Sequence, residues 1–139
     1  MKVALFGGTG FVGSYITDEL LDHKHKPNLL VRESSIKKLL QADNCKIFEG
    51  DLSNNVAVKK VIKSSDVVIY SIGLVREFPH RGITFQETQF EGVKQTVDLA
   101  KEFNIKRYIL VSANGARLDG TKYQSTKYLA EEYLKHSGL

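Results

Sequence analysis

The chain has 139 residues, of which 42% are hydrophobic and 26% charged, a composition typical of one globular domain and not of a disordered or fibrous chain. The formal net charge of +4 comes from basic residues scattered among acidic ones, which argues against a nucleic-acid-binding patch. Cys45 is the single cysteine, so no intramolecular disulfide can form, and no apolar run is long enough to span a membrane. A cytoplasmic, reducing location is therefore expected.

Short apolar runs alternate with helical patterns along the whole chain. The predicted strands are Val3–Phe6, Asn28–Arg32, Lys46–Glu49, Asp66–Ile72 and Tyr108–Ser112. The predicted helices are Phe11–Leu21, a short helix with Ile36, Leu39 and Leu40, Val56–Ile62 with Ser53 or Asn54 as its cap, a long helix with Phe90, Val93, Val97 and Ala100 on one face, and Tyr123–His136. Pro27 and Pro79 are predicted to lie between elements. Alternation of this kind predicts a doubly wound α/β domain, with a parallel sheet in the strand order 3-2-1-4-5.

A glycine-rich loop joins the first predicted strand to the first predicted helix. Its sequence is Gly7-Gly8-Thr9-Gly10-Phe11-Val12-Gly13, in which every third residue is a glycine. Glycines at these positions allow a sharp turn off the strand, the approach of a pyrophosphate to the backbone N–H groups at the helix N-terminus, and close packing of that helix on the sheet. The loop therefore predicts dinucleotide binding in preference to an ordinary tight turn.

The end of the second strand bears on the choice between two nicotinamide cofactors. Arg32 stands where this fold meets the adenosine ribose, and an arginine there accommodates the 2′-phosphate of NADP. Lys37 adds positive charge nearby, whereas Glu33 could instead serve the ribose hydroxyls of NAD. NADP is the preferred expectation, and NAD stays open.

Two further segments follow strands at the same edge of the predicted sheet. Asp51 and Leu52 would flank the adenine, by a hydrogen bond and by packing respectively, although an aspartate in an ordinary turn explains Asp51 equally well. Ser71 and Gly73 end the fourth strand, where small residues leave room for the middle of the cofactor.

A tyrosine and a lysine four residues apart open the last predicted helix. Tyr123 and Lys127 share one helix face, so the lysine could lower the tyrosine pKa and hold the nicotinamide ribose. The tyrosine could then exchange a proton with a substrate oxygen. Ser112, at the end of the fifth strand, is a candidate hydrogen-bond partner for the same oxygen. No metal site is predicted, because His23 and His25 stand only two residues apart.

Taken in order, these motifs resemble the short-chain dehydrogenase/reductase superfamily, and most closely its atypical NmrA-like members and the relatives of the NADPH-binding accessory subunit of complex I. The matching stretches are Val3–Gly13, Val31-Arg32, Glu49–Leu52, Asp66–Ile69, Val111–Ala116 and Tyr123–Lys127. The resemblance implies a Rossmann-like NAD(P)-binding domain in which Tyr123 and Lys127 are catalytic and Ser112 assists.

Two functions are compatible with this resemblance. One is an NADP(H)-dependent oxidoreductase or epimerase/dehydratase acting on a small carbonyl or hydroxyl compound, which the Tyr123–Lys127 pair favours. The other is a non-catalytic NAD(P)H-binding redox sensor or assembly module. The family continues into further strands and a substrate region, so residues 1–139 are expected to form only the cofactor-binding part. Either the chain is a fragment of a longer protein, or a second copy or a partner is expected to cover the free edge of the fifth strand.

Overall fold

A computed structural model describes residues 1–39 and 41–139. The strands are β1 (Lys2–Phe6), β2 (Lys26–Val31), β3 (Lys46–Glu49), β4 (Val67–Tyr70) and β5 (Tyr108–Leu110). The α-helices are α1 (Phe11–Asp22), α2 (Asn55–Lys63), α3 (Gly92–Glu102) and α4 (Lys122–Lys135). Short 3-10 helices at Glu33–Lys38, Ala42–Asn44 and Pro79–Arg81, and a π-helical segment at Gln86–Glu91 leading into α3, complete the described elements.

The sheet is parallel throughout and has the order β3-β2-β1-β4-β5, which confirms the predicted doubly wound α/β fold. The central strands β1 and β4 are almost entirely buried, as apolar runs covered on both faces should be. Because all five strands run the same way, their carboxyl ends meet at one edge. The loops that follow the strands therefore converge there.

Hydrophobic clusters on the two faces of the sheet hold the helices in place. On one face, apolar residues of α2, α3 and α4 pack with Ala4, Phe6, Val68 and Tyr70. On the other face, α1 contributes Ile16 and Leu20 to a cluster built from the remaining strand side chains. The helices α2, α3 and α4 thus cover one face of the described sheet and α1 covers the other. Each of these helices starts near the carboxyl edge of the sheet.

Four local predictions differ from the structure. Pro27 lies inside β2, near its start, where a missing N–H is tolerated. The helix predicted around Ile36 and Leu39 is a 3-10 helix that ends before Leu39, and Leu40 lies outside the described residues. β4 and β5 are shorter than predicted, and β5 ends two residues before Ser112.

The start of α2 gives a stability prediction. The Asn54 carboxamide oxygen accepts a hydrogen bond from the Ala57 N–H at 3.1 Å, so Asn54 is the cap and Ser53 is not. Loss of such a cap costs about 0.5–2 kcal/mol. Asn54→Ala is expected to lower the free energy of unfolding by that amount in urea titrations, whereas Asn55→Ala, one residue further on, should have a smaller effect. Equal effects at the two positions would contradict the cap.

β5 forms one edge of the described sheet, and its Ile109 is 44% exposed. That a second copy or a partner covers this edge stays a prediction. No helix in the two described ranges combines the length and the apolar character needed to cross a membrane.

Candidate functional site

The loop between β1 and α1 turns back on itself and touches the end of β4. Gly7 has a φ of +95°, and a Cβ at this position would lie 2.9 Å from the carbonyl carbon of Ser71. A Cβ on Gly13 would lie 2.0 Å from the Gly7 carbonyl oxygen. Both glycines are therefore required by the packing of the chain itself, since any side chain would displace backbone.

Gly10 differs from Gly7 and Gly13, because the folded chain leaves space beside it. Its φ of −82° suits any residue, and a Cβ would meet only the Gly7 carbonyl oxygen, at 3.3 Å. Gly10 is exposed and caps α1 without a side-chain hydrogen bond. The N–H groups of the first helical turn, among them those of Phe11 and Val12, thus open onto solvent and form a positively polarised end suited to a phosphate.

The other residues predicted to touch the phosphates lie around this helix end. Thr9 is half-buried, Phe11 is exposed and packs edge-on against Tyr15, and Val12 is half exposed. The described loop and helix end therefore form an open cradle, and the empty space beside Gly10 is the observation that fits a nucleotide pyrophosphate.

Arg32 and Asp51 follow the neighbouring strands β2 and β3, so both lie at the carboxyl edge of the sheet. The Asp51 carboxylate accepts hydrogen bonds from the Ser53 N–H at 2.9 Å and from the Ser53 hydroxyl at 2.6 Å. The Ser53 hydroxyl is the main cause that lowers the pKa of Asp51, and the charge of Arg32 contributes less. Asp51 thus forms a turn with Ser53, and its hydrogen bond to an adenine stays a prediction. Arg32 and Lys37 are both exposed and available to an anion.

Leu52 is placed differently from Asp51. It is half-buried and packs on the apolar cluster beneath α3, where its Cδ1 atom would lie 2.8 Å from a Cβ on Gly92. Its main contact among the described residues is therefore the core, and packing against an adenine stays a prediction.

Ser71 and Gly73 lie between the glycine loop and α4. The Ser71 hydroxyl oxygen is buried and has no hydrogen-bond partner among the described residues. Gly73 is exposed, and a Cβ at that position would lie 3.7 Å from the Lys127 ammonium nitrogen. The segment at the end of β4 therefore lies between the glycine loop, which contacts Ser71, and α4, which carries the predicted catalytic residues.

The start of α4 is held by a capping box in which Thr121 and Gln124 satisfy each other's backbone N–H groups. One turn further, Lys127 is only 4% exposed, and its ammonium donates a hydrogen bond of 3.1 Å to the Val111 carbonyl oxygen. Burial lowers the pKa of Lys127 from the ordinary lysine value. Lys127 is thus fixed at the carboxyl edge of the sheet, next to Gly73.

Tyr123 and Ser112 are held by different neighbours. The Tyr123 ring is half-buried and packs edge-on against Phe85, with ring centroids 5.7 Å apart. The Ser112 hydroxyl donates a hydrogen bond to the Glu131 carboxylate, two turns beyond Tyr123 on α4. The structure therefore joins Tyr123 and Lys127 on one helix face, as predicted, and uses the Ser112 proton in a hydrogen bond to Glu131.

Comparison with known proteins bears on what this edge of the sheet binds. The sequence profile of the NAD(P)H-binding family matches residues 7–139, from the first glycine of the loop onward. The chain belongs to the NAD(P)H-binding family. The resemblance to the atypical short-chain dehydrogenases/reductases is thereby confirmed, together with the Rossmann-like fold.

Several individual proteins are moderately similar to the chain. It is 28% identical over 115 residues to ceramide reductase of Caulobacter vibrioides, covering 83% of this chain and 35% of that protein. It is 32% identical over 80 residues to the isoflavone reductase homologue A622 of Nicotiana glauca, covering 52% and 26% respectively. A Bacillus halodurans structure with a provisional NAD-dependent epimerase/dehydratase designation superposes with a TM-score of 0.85, at 26% identity, over 100% of this chain and 66% of that one. The chain thus spans about a quarter to a third of the length of the A622 homologue and of the ceramide reductase.

Two residues of this NAD(P)H-binding domain were missed by sequence reasoning. Glu131 follows Lys127 by four residues, so extending the Tyr123–Lys127 spacing by one further turn would have found it. Gln89 precedes Val93 by four residues, in register with the buried face of α3, and is 1% exposed. Its amide nitrogen donates to the Leu74 carbonyl oxygen at 3.3 Å, while its amide oxygen has no partner in the part of the chain that the structure describes.

No metal centre accompanies this arrangement within the described ranges, where no three His, Cys, Asp or Glu residues are grouped closely enough to hold an ion. The groups that the described residues bring to this edge of the sheet include the phenol of Tyr123 and the ammonium of Lys127.

Proposed function

We propose that the chain binds NADP(H) and takes part in an oxidoreductase or epimerase/dehydratase reaction on a small carbonyl or hydroxyl compound. The observation that carries the proposal is the buried Lys127, fixed at 3.1 Å from the Val111 carbonyl and on the same helix face as Tyr123. A buried charged side chain is costly, and such costs recur at functional sites. The position of Lys127 beside Gly73, in the segment that follows β4 at the carboxyl edge of the sheet, supports a role toward a bound dinucleotide.

The residues of this chain would divide the work of binding. The first turn of α1, opened by Gly10, would hold the pyrophosphate, and Arg32 would meet the 2′-phosphate. Lys127 would hold the nicotinamide ribose. When bound, the nicotinamide supplies a hydride donor or acceptor.

Tyr123 would then move the proton. Lys127 lies on the same helix face, so its ammonium and the Tyr123 phenol would meet the same bound molecule. A positioned phenol can protonate a carbonyl oxygen or accept the proton of a hydroxyl. Phe85, packed against the ring edge, would keep the phenol oriented and exclude water from one side.

The proposal is tested by measuring NADPH binding by calorimetry and then NADPH oxidation with a panel of small ketones and aldehydes. Binding with turnover of at least one compound is the expected result. Binding without turnover of any compound would favour the second function, a non-catalytic NAD(P)H-binding module. The specific observation on the side of that alternative is that the Ser112 proton is already donated to Glu131.

The preference for NADP is tested at Arg32. A hydrogen bond to a charged group contributes about 1.5–3 kcal/mol, so Arg32→Ala is expected to weaken NADPH binding roughly 10- to 150-fold while NADH binding barely changes. Lys38→Ala is the matched control, because Lys38 is an exposed cation of the 3-10 helix that follows Arg32 and has no proposed role. Equal affinity of the unaltered protein for NADH and NADPH would contradict the assignment to Arg32.

A further inference from the structure

Glu131 extends the proposed catalytic face of α4 by one turn. Tyr123, Lys127 and Glu131 follow one another at intervals of four residues, which places them in one row along the helix. The Glu131 carboxylate accepts the hydrogen bond from Ser112 through one oxygen, and the exposed ammonium of Lys135 lies 3.9 Å from the other. Glu131 thus links the last turns of α4 to the segment that follows β5.

The hydrogen bond to Glu131 changes what Ser112 can do. A serine hydroxyl has one proton and two lone pairs, and a carboxylate only accepts. The proton of Ser112 is therefore used by Glu131, in a charge-assisted bond stronger than a bond between neutral groups. Toward a molecule in the cleft, the Ser112 oxygen can therefore act only as a hydrogen-bond acceptor.

Glu131 also acts on Lys127 through its charge. Burial disfavours the ammonium form of Lys127, and the Glu131 carboxylate opposes that effect by raising the pKa. The segment Gln86–Glu91 and α3 also pack against α4 and carry Glu87, Glu91 and Asp98. Of the described charged side chains, however, only Glu131 shifts the pKa of Lys127.

We propose that Glu131 is a positioning residue with two effects: it holds the Ser112 hydroxyl as a hydrogen-bond acceptor for a substrate O–H group, and it places a carboxylate one helical turn from the buried Lys127, in the same row of α4. The proposal rests on the proposed function for the meaning of both effects. The effects themselves can be measured without substrate or cofactor.

The first test is a titration of Lys127 followed by NMR of lysine side chains labelled with ¹³C at Cε. The Lys127 signal is assigned as the one missing from Lys127→Met, or from Lys127→Arg where the methionine variant does not fold. Glu131→Gln keeps the shape and removes the charge. Glu132→Gln is the matched control, because Glu132 is the next residue and pairs with Lys135 at 2.8 Å.

Glu131→Gln is expected to lower the pKa of Lys127 further below the ordinary lysine value, and Glu132→Gln should leave it nearly unchanged. The direction follows because the positive form of Lys127 loses its neighbouring negative charge while its burial persists. An unchanged titration in Glu131→Gln, or an equal shift in Glu132→Gln, would overturn the electrostatic part of the proposal. A purely structural role of Glu131 would move the stability but not this titration.

The second test is a double-mutant cycle in urea unfolding. Ser112→Ala is expected to lower the unfolding midpoint more in the presence of Glu131 than in the Glu131→Gln background, because only the first comparison removes a charge-assisted bond. Additive effects would overturn the assignment of the Ser112 proton. Failure of the proposed function would appear separately, as absence of NADPH binding to the unaltered protein, and both tests would still decide the role of Glu131.

Discussion

Tyr123→Phe is expected to lower turnover about 10²–10⁴-fold while NADPH affinity stays nearly constant, because the substitution removes the proton donor and keeps the ring. The ring contact with Phe85 survives the change, since it involves only ring atoms. Among the residues that the structure describes, the Tyr123 phenol oxygen makes no hydrogen bond, so no contact that holds α4 is lost. The measurement compares steady-state NADPH oxidation with calorimetric binding in the same preparation, using the carbonyl compound that the unaltered protein turns over best.

The matched control for this substitution is Tyr128→Phe. Tyr128 lies on the same helix and is also half-buried, but it is displaced by one residue from the row formed by Tyr123, Lys127 and Glu131. It should keep full turnover. Full turnover in Tyr123→Phe as well would exclude the tyrosine as the acid or base and leave only the cofactor-binding role.

The sheet could be predicted because its signals are local and repeated. Four or five consecutive apolar residues, as in β1 and β4, can be satisfied only where both faces of a strand are covered, and that requires helices between parallel strands. The order β3-β2-β1-β4-β5 is the one expected for a doubly wound dinucleotide-binding fold. These constraints act over whole segments, so the one- or two-residue errors at the ends of β4 and β5 did not disturb them.

The segment after β2 shows where such reasoning stops. Ile36 and Leu39 indicate a helix, but the two serines at 34 and 35 favour turns over a long helix. The chain closes a 3-10 helix there and leaves it at Leu39. Pro27 was misplaced for a similar reason, because the rule that proline avoids strands does not apply near the start of one.

The parts of the candidate site that lie close together in sequence could be predicted, whereas contacts between distant residues could not. The glycine loop and the Tyr123–Lys127 spacing are continuous in sequence, and the structure brings them to the same edge of the sheet. The contact between Ser112 and Glu131 joins residues 19 apart, and its direction depends on side-chain conformations that no sequence pattern encodes. The burial of Gln89 and its unpartnered amide oxygen depend likewise on how the π-helical segment packs.

Gly7, Gly10 and Gly13 are constrained to different degrees by their neighbours, so their substitutions should have different effects. Gly7 and Gly13 are constrained by the chain itself, since side chains there would strike backbone at 2.9 Å and 2.0 Å. Gly13→Ala is therefore expected to destabilise the folded protein, lowering the free energy of unfolding by about 1–3 kcal/mol or more. Among the described residues, a Cβ on Gly10 would meet the Gly7 carbonyl oxygen at 3.3 Å, so a smaller cost is expected there.

Gly10→Val is expected to abolish NADPH binding in a protein that still folds. The new side chain would meet the Gly7 carbonyl oxygen at 3.3 Å, which a small local shift relieves, and otherwise would project into the space before the first turn of α1. A pyrophosphate bound by those N–H groups has to occupy the same space. A substitution at Gly10 should thus reduce NADPH binding without a large loss of stability, whereas a substitution at Gly13 should reduce both.

A graded series sharpens the test. Gly10→Ala should weaken NADPH binding less than Gly10→Val, because the obstruction grows with the volume of the side chain, while urea unfolding should give similar stabilities for both. Calorimetry supplies the affinities and the unfolding midpoint supplies the control. If the folded valine variant binds NADPH as tightly as the unaltered protein, the phosphates do not lie at the α1 N-terminus, and the glycine loop serves only the turn between β1 and α1.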